Sequence, residues 1–191
     1  MLVSNTHRPV NGYHALSIGV HWLTLLLLIA VYACIELREL YPKGSEPRDV
    51  LKMWHFMLGL TVLGVTTVRL IVRVTFPVPP IEPTPPAWQL WLAKAVHLAL
   101  YALLIAMPLL GWLVLSAAEK PIPFFGLTLP ALLSPDKDLA HTLKEIHETL
   151  GVLGYYVIGL HAAAAIFHHH VMRDDTLLRM LPACCLKRFL R

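Results

Sequence analysis

Charged residues are scarce in this 191-residue sequence. Asp, Glu, Lys and Arg make up only 15% of it, whereas 57% is hydrophobic. A soluble domain carries about 25% charged residues, so this deficit argues against a soluble domain and indicates that lipid surrounds much of the chain. The formal net charge is +4. Because membrane proteins concentrate Lys and Arg in cytoplasmic loops and tails, this excess does not predict a nucleic-acid partner.

Cysteine is also scarce, since the sequence contains only Cys34, Cys184 and Cys185. None belongs to a C-x-x-C or C-x-x-C-H pattern, so thiol redox chemistry and covalent haem attachment lack support. Cys34 lies in an apolar run and is predicted to pack there, whereas the adjacent pair in the basic tail is a candidate for lipidation. We expect no secretory signal peptide, because the first apolar run is too long and lacks a small-residue cleavage site.

Long apolar runs are what the sequence does contain. Four of them reach the length of about 20 residues that a helix needs to cross a bilayer. They cover about residues 18–37, 51–74, 88–115 and 146–171. Backbone groups in lipid must bond to one another, so each run predicts a helix. The sequence thus predicts one all-α membrane domain over residues 1–191, a four-helix bundle, with an extended proline-rich linker at 77–86.

An even number of spans places both chain ends on the same side of the membrane. That side receives nine of the 16 Lys and Arg residues, and the other side receives seven. The positive-inside rule therefore predicts that both termini are cytoplasmic. We call the end of the bundle that carries the 38–50 and 116–140 connections the outer end, and the opposite end the inner end.

Histidine is unusually frequent, with 11 residues. An ionisable side chain within a membrane span is costly and therefore suggests function. His21 falls near the inner end of the first span, and His55 falls near the outer end of the second. His97 lies in the inner half of the third span, while His147 and His161 lie in the fourth.

The 14-residue spacing of His147 and His161 is the most informative feature. It corresponds to about 3.9 helical turns, so both rings leave one helix face about 21 Å apart. One helix could therefore supply a ligand to each of two stacked cofactors. His55 matches the outer level of His147, and His21 matches the inner level of His161. Two imidazoles suit iron and leave it no open position, which favours electron transfer over oxygen chemistry.

Other interpretations of these histidines remain. A single intramembrane His can simply bond two helices together. His14 and His168 form a rival inner pair, although both lie at the headgroup boundary. The run from His168 to His170 resembles a zinc-binding tract, although consecutive residues on a helix point in different directions. This run makes a non-enzymatic metal-binding membrane protein the alternative function of another class. The metalloprotease pattern H-E-x-x-H fails, because residue 151 is glycine.

Small and cationic residues accompany the predicted ligands. Four small residues follow a ligand at helical spacing and could let a flat macrocycle approach the backbone, or could serve ordinary helix packing: Gly59, Gly151, Gly154 and Ala165. Arg69 follows His55 by 14 residues and so reaches the inner level, where it could bind a haem propionate or act as a positive-inside anchor. His97 could likewise bind a propionate or bridge two helices.

Several segments resemble the bacterial cytochrome b561 family of four-helix di-haem proteins across nearly the whole chain. These segments are HWL from His21, VRLIVR from Val68 with the P-x-P-P that follows, GLTLP from Gly126, LKEIHETL from Leu143, GLHAAAAIFHH from Gly159 and DDTLLRM from Asp174. The resemblance implies a bacterial inner-membrane protein with two haems b. Its ligand positions match His21 and His161 for the inner haem, and His55 and His147 for the outer haem.

In detail the resemblance is to a superoxide-oxidising member, and it implies electron transfer from periplasmic superoxide through both haems to ubiquinone. It places a quinone contact at His168 and another in the linker, where Thr84 replaces the family's lysine. Attraction of the anion requires positive charge near the outer haem. Lys52 and Lys144 each precede an outer ligand by three residues and share its face, and Arg38 is a further candidate. Each could instead be a solvated loop charge. The alternative is a haem b subunit that serves a separate dehydrogenase or reductase.

Overall fold

The computed structural model describes residues 12–182 and contains four long helices. They are α1 (Ala15–Leu37), α2 (Glu46–Thr75), α3 (Ala87–Ala117) and α4 (Lys137–Phe167). Each helix is long and apolar enough to cross a membrane. The predicted four-helix membrane bundle is therefore confirmed. Cys184 and Cys185, the candidates for lipidation, lie outside the described residues, as does the end of the basic tail.

Helices α2 and α4 begin five and nine residues earlier than the apolar runs predicted. Helix α2 begins at Glu46 with a proline in its first turn, and α4 begins at Lys137, after Asp136. The Asp136 carboxylate accepts the backbone N–H groups of the second and third helical residues, Asp138 and Leu139. The predicted starts near residues 51 and 146 are wrong as helix boundaries. An apolar run marks only the segment in lipid, whereas a polar cap and charged first turns extend the helix beyond it.

The helices enclose a cavity instead of a closely packed centre. Helix α1 packs mainly on α2, α3 packs on α4, and α2 joins the two pairs. Between them lies a cavity of about 1620 Å³ that residues of all four helices line. Few side chains are fully buried, Thr24 and Thr66 among them, whereas large apolar side chains such as Leu26 and Leu98 are exposed. This distribution is expected of a bundle whose outer surface meets lipid and whose interior holds a cofactor.

Residues of the outer connections fold back over the bundle. The buried Arg48 donates hydrogen bonds to the carbonyls of Arg38 and Tyr41, and to both carboxylate oxygens of Glu39. These bonds fix the short loop between α1 and α2.

A small β-hairpin covers the other outer connection. Strands β1 (Ile122–Phe124) and β2 (Leu127–Leu129) pair in antiparallel fashion. The two turn residues, Phe125 and Gly126, both have positive φ, at 47° and 87°, as a tight hairpin turn requires. The Phe125 ring packs edge-on against Trp54 of α2, so the hairpin rests on the outer end of the bundle.

At the inner end, the chain after α4 folds back across α1 and the linker. Helix α4 continues into a π-helical turn, His168–Met172, and Arg173 then adopts a left-handed conformation with φ 55°. Asp175 and Glu82 exchange two hydrogen bonds, of 3.0 and 3.1 Å, which tie the linker to this segment. Residues 77–86 contain no helix, as their prolines predicted.

Candidate cofactor site

The outer histidine pair joins α2 and α4. The ring centroids of His55 and His147 are 6.3 Å apart, with ring planes at 79°. Nδ1 of His55 lies 3.0 Å from the carbonyl oxygen of Val31 on α1. A neutral imidazole that donates from Nδ1 keeps Nε2 available as a ligand, which is the usual arrangement around a metal-bound histidine.

The inner histidine pair joins α1 and α4. The ring centroids of His21 and His161 are 6.4 Å apart, with ring planes at 67°. His97 of α3 lies beside this pair, with its ring 5.3 Å from that of His161 and its Nδ1 2.6 Å from its own helix carbonyl at Ala93. All three rings line the cavity. The structure therefore brings together the partners that the depth argument predicted, at two levels of one cavity.

Both pairs have the spacing that iron ligation requires. Two imidazoles on opposite sides of a metal, with metal–nitrogen bonds of about 2 Å, have ring centroids about 6–6.5 Å apart. Neutral imidazole is a suitable ligand for iron. The cavity volume of about 1620 Å³ exceeds the range of about 300–1,000 Å³ of common ligand pockets. The donor groups and the available space therefore fit two haem groups.

The rival histidine assignments lack this facing arrangement of two imidazole rings. His14 accepts the N–H of Leu16 at 3.2 Å and stacks on Phe76 at 3.9 Å. His168 is bonded to Asp174, and its ring does not pair with His14 in the described part of the chain. Within residues 12–182, no three His, Cys, Asp or Glu side chains form a metal-binding group, which removes support from the zinc-tract interpretation.

Glycines near the ligands differ in what they accommodate. A Cβ at Gly59 would meet no atom within 4 Å, and Gly59 lines the cavity, as a cofactor cradle requires. A Cβ at Gly154 would collide with the hydroxyl of Tyr32, which favours the helix-packing alternative for this residue. Gly111 escaped the sequence analysis. A Cβ there would lie 3.4 Å from the ring of His147, in ordinary van der Waals contact, so Gly111 marks the point where α3 meets the outer pair.

Arg69 reaches the inner level, as its spacing from His55 predicted. Its Nη2 lies 2.8 Å from Nδ1 of His21, and its guanidinium lies over the ring of Tyr101 at 5.4 Å. Because arginine can only donate, Nδ1 of His21 is the acceptor in this contact. Arg69 thus contacts a predicted ligand directly.

The two predicted outer lysines are paired with acids. Both Lys52 and Lys144 line the cavity. Nζ of Lys52 lies 2.8 Å from the carboxylate of Asp49, and Nζ of Lys144 lies 3.0 Å from that of Glu148. These carboxylates largely cancel the positive potential that each lysine presents to an approaching anion.

Arg38 has a different electrostatic setting. It also lines the outer part of the cavity, and its Nε lies 3.0 Å from Glu39. The same carboxylate binds Arg48 at 2.9 Å. Two guanidinium groups therefore share one acid, which leaves one positive charge in excess beside the outer level.

His168 lines the inner part of the cavity, and a buried carboxylate holds it. Its Nδ1 lies 2.5 Å from Asp174, which is 5% exposed and also accepts the N–H of Thr176 at 2.9 Å. Burial alone would raise the pKa of Asp174, but its hydrogen bonds with His168 and Thr176 outweigh burial and lower that pKa below its usual value. Thr84 is exposed and does not line the cavity, whereas Ile81 and Pro85 do. The predicted quinone contact at Thr84 is therefore dropped.

Two buried ionisable residues, Asp174 and Arg179, were missed by the sequence analysis as site residues. Both belong to the DDTLLRM segment, but hydropathy places that segment outside the membrane, where charged residues are ordinary. The family resemblance did point to these residues, because it includes the DDTLLRM segment, which follows the helix that bears His161.

Comparison with known proteins agrees with this architecture. Residues 12–183 match the family described as prokaryotic cytochrome b561. Cytochrome b561 homolog 1 of Escherichia coli is 38% identical, over 91% of this chain and 98% of its own length. A Yersinia pestis protein named probable superoxide oxidase CybB is 42% identical, over 89% of this chain and 96% of its own. Cytochrome b561 homolog 2 of Escherichia coli is 31% identical, over 94% and 95%.

The match covers the four helices, both histidine pairs and the inner segment that follows α4. Such proteins are multi-pass components of the inner membrane that bind haem b and transfer electrons. The chain belongs to the prokaryotic cytochrome b561 family.

Proposed function

We propose that this cytochrome oxidises superoxide at its outer end and reduces ubiquinone at its inner end. The observation that carries the proposal is the arrangement of two histidine pairs at separate levels of one cavity, with Arg38 near one end and His168 near the other. The name of the Yersinia relative supports the same activity. In this orientation the outer end faces the periplasm, and both termini lie in the cytoplasm.

The overall reaction balances with two superoxide anions for each quinone. Each superoxide loses one electron and becomes dioxygen. One ubiquinone takes both electrons and two protons and becomes ubiquinol. When bound at the two histidine pairs, haem b supplies a one-electron path between the two ends of the cavity.

At the outer end, the task of the protein is to attract and orient a small anion. Arg38 supplies positive charge beside the outer pair, because it shares the carboxylate of Glu39 with a second guanidinium. Lys52 and Lys144 contribute less, because each forms an ion pair with a neighbouring acid. The attraction is local and short-ranged, since salt screens charges over about 8–10 Å.

At the inner end, the task is to hold a quinone and deliver protons. Asp174 accepts a hydrogen bond from Nδ1 of His168, which directs Nε2 away from the carboxylate. Asp174 also holds the imidazole in one orientation, as the carboxylate of a catalytic triad does. His168 can then donate a proton from Nε2 to a quinone oxygen and recover it from the cytoplasmic side.

Stopped-flow mixing of the oxidised protein with superoxide tests this function. We expect rapid haem reduction, followed by reoxidation when ubiquinone is present. In the matched variant His147→Ala, we expect loss of the outer haem and of rapid reduction, while the inner haem spectrum remains. If superoxide reduces the native protein no faster than it reduces free haem, the activity is not superoxide oxidation. A haem subunit that serves a separate dehydrogenase would then be the better assignment.

A further inference from the structure

Arg179 is a buried cation whose partners are incomplete. It lies in the short 3₁₀ turn Leu178–Met180, is 3% exposed and lines the cavity. Within residues 12–182, its Nε and Nη1 atoms have no hydrogen-bond partner. Asp175 forms a long ion pair with Nη1, at 3.9 Å, which is beyond hydrogen-bonding distance. A guanidinium buried in this way is strongly unfavourable unless an anion completes its shell.

The surrounding contacts hold Arg179 firmly against α1. Its backbone carbonyl accepts the N–H of Tyr13 at 3.1 Å, and its guanidinium lies over the Tyr13 ring at 5.1 Å. The next residue, Met180, accepts a hydrogen bond from the indole of Trp22 at 2.8 Å. Trp22 follows His21 directly, so Arg179 is fixed relative to the helix that supplies one inner ligand.

A second guanidinium, that of Arg69, lies in the same region. Both arginines lie next to the same turn of α1, because Arg69 contacts His21 and the residue after Arg179 binds the indole of Trp22. Nη2 of Arg69 donates to Nδ1 of His21. A histidine that binds iron through Nε2 carries its proton on Nδ1 and cannot accept there. Iron binding at His21 would therefore remove this hydrogen-bond acceptor, and the Arg69 guanidinium would be available to another one.

The charges that line the cavity are unevenly distributed. Among the described residues, its lining acids are Glu36, Glu39 and Glu148, which belong to the outer end. The described cations that line its inner part are Arg69, Arg73, Lys94 and Arg179. An apolar cavity whose inner part carries several cations and no lining carboxylate is suited to a ligand with negative charge.

We propose that Arg179 and Arg69 bind the propionate carboxylates of the haem held by His21 and His161. A haem has two such carboxylates, and a guanidinium binds a carboxylate through two parallel hydrogen bonds. A neutral quinone has no charge to offset two guanidinium groups. The assignment rests on the inner haem of the proposed function, and it adds Arg179 as a residue that fixes the orientation and potential of that haem.

A redox titration of both haems in the purified full-length protein tests this assignment. In Arg179→Gln, we expect the inner haem to have a lower midpoint potential, because loss of a nearby positive charge favours the oxidised state. For a charge on the order of 10 Å from iron at a dielectric constant of about 20, the effect is about tenfold in the reduction equilibrium. That factor corresponds to about 59 mV for one electron. The outer haem should keep its potential, and Arg173→Gln, at an exposed position of the same segment, should change neither haem.

The outer haem also reports the integrity of the fold. If Arg179→Gln loses both haems equally, Arg179 is mainly structural and the proposal is wrong. The variant Arg179→Lys provides a second test, since it retains the charge without the forked geometry, and we expect a weaker hold on the inner haem. Native inner-haem occupancy and potential in both variants would overturn the proposal, as would a change confined to the quinone KM. A native protein with one haem would instead contradict the proposed function itself.

Discussion

Replacement of Arg38 by Gln should slow the reduction of the protein by superoxide. The Arg38 side chain is 24% exposed, and it shares the carboxylate of Glu39 with Arg48, which leaves one excess positive charge. At about 6 Å from an anion, a unit charge contributes about 0.7 kcal/mol in water and about 2.8 kcal/mol at a dielectric constant of about 20. These energies correspond to rate factors of about 3 and about 100. Because salt screening reduces the upper figure, we expect a decrease of about three- to tenfold.

The assay is stopped-flow haem reduction by superoxide over a series of ionic strengths. The salt dependence of the rate should become shallower in Arg38→Gln, while the spectra of both haems stay native. The matched control is Lys43→Gln, which removes a cation from an exposed loop position outside the cavity lining. It should leave the rate within about twofold of the native value, by the screening argument.

Removal of a complete ion pair separates local potential from net charge. The double variant Lys52→Gln with Asp49→Asn deletes a pair that spans 2.8 Å. We expect its rate to change far less than that of Arg38→Gln, because the pair presents little net potential. A native rate and salt slope in Arg38→Gln would show that Arg38 does not attract the anion, and a larger loss in the pair deletion would assign the attraction to Lys52.

Further predictions concern packing and the inner end. Gly154→Ala should lower stability by about 1–3 kcal/mol, because the new methyl collides with the Tyr32 hydroxyl; thermal unfolding measures this, and adding Tyr32→Phe should restore part of the loss. Asp174→Asn should slow ubiquinone reduction, because His168 loses the carboxylate that fixes the orientation of its imidazole; an unchanged rate of ubiquinone reduction would exclude the role. The pKa of Asp174 is lower in the folded protein than in the unfolded chain, where it is about 3.9. The ionised carboxylate therefore stabilises the fold when the pH is above the unfolded-state pKa, and this contribution disappears as the pH falls through the folded-state pKa. Acid should therefore lower the unfolding temperature of the native protein more than that of Asp174→Asn.

The histidine pairing could be predicted from the sequence because it depends on helical geometry alone. The interval between His147 and His161 fixes a shared face and an axial separation, and hydropathy fixes the depth of each partner. The structure then places His55 and His21 within 6.3 and 6.4 Å of these rings. Ligand pairs can be predicted in this way where the spacing along one long helix gives the depth at which each partner on a neighbouring helix must lie.

Contacts that depend on side-chain partners could not be predicted in the same way. Spacing placed Lys52 and Lys144 on the face of an outer ligand, but it gave no indication of which acid each lysine would meet. Spacing also placed Gly154 on the ligand face, whereas the hydroxyl of Tyr32 occupies the space beside it. Side-chain rotamers and contacts between helices determine which partner each of these residues meets, and neither follows from the spacing of residues in the sequence.

The inner segment was unpredictable for a conformational reason. A π-helical turn and the left-handed Arg173 reverse the chain after α4. This reversal brings Asp174 to His168 and places Arg179 against α1. Hydropathy gives no sign of such a reversal. The β-hairpin escaped for a similar reason, because Phe125 and Gly126 are not the Asn-Gly or Asp-Gly pair that usually marks a two-residue turn.

The proposed electron path requires two bis-histidine haem sites at different depths of one bundle. Its most direct test is the number of haems b per chain in the purified native protein and in His161→Ala. We expect two haems in the native protein and one in the variant, with the remaining haem showing the spectrum of the outer site. One haem in the fully loaded native protein, or two in the variant, would contradict it.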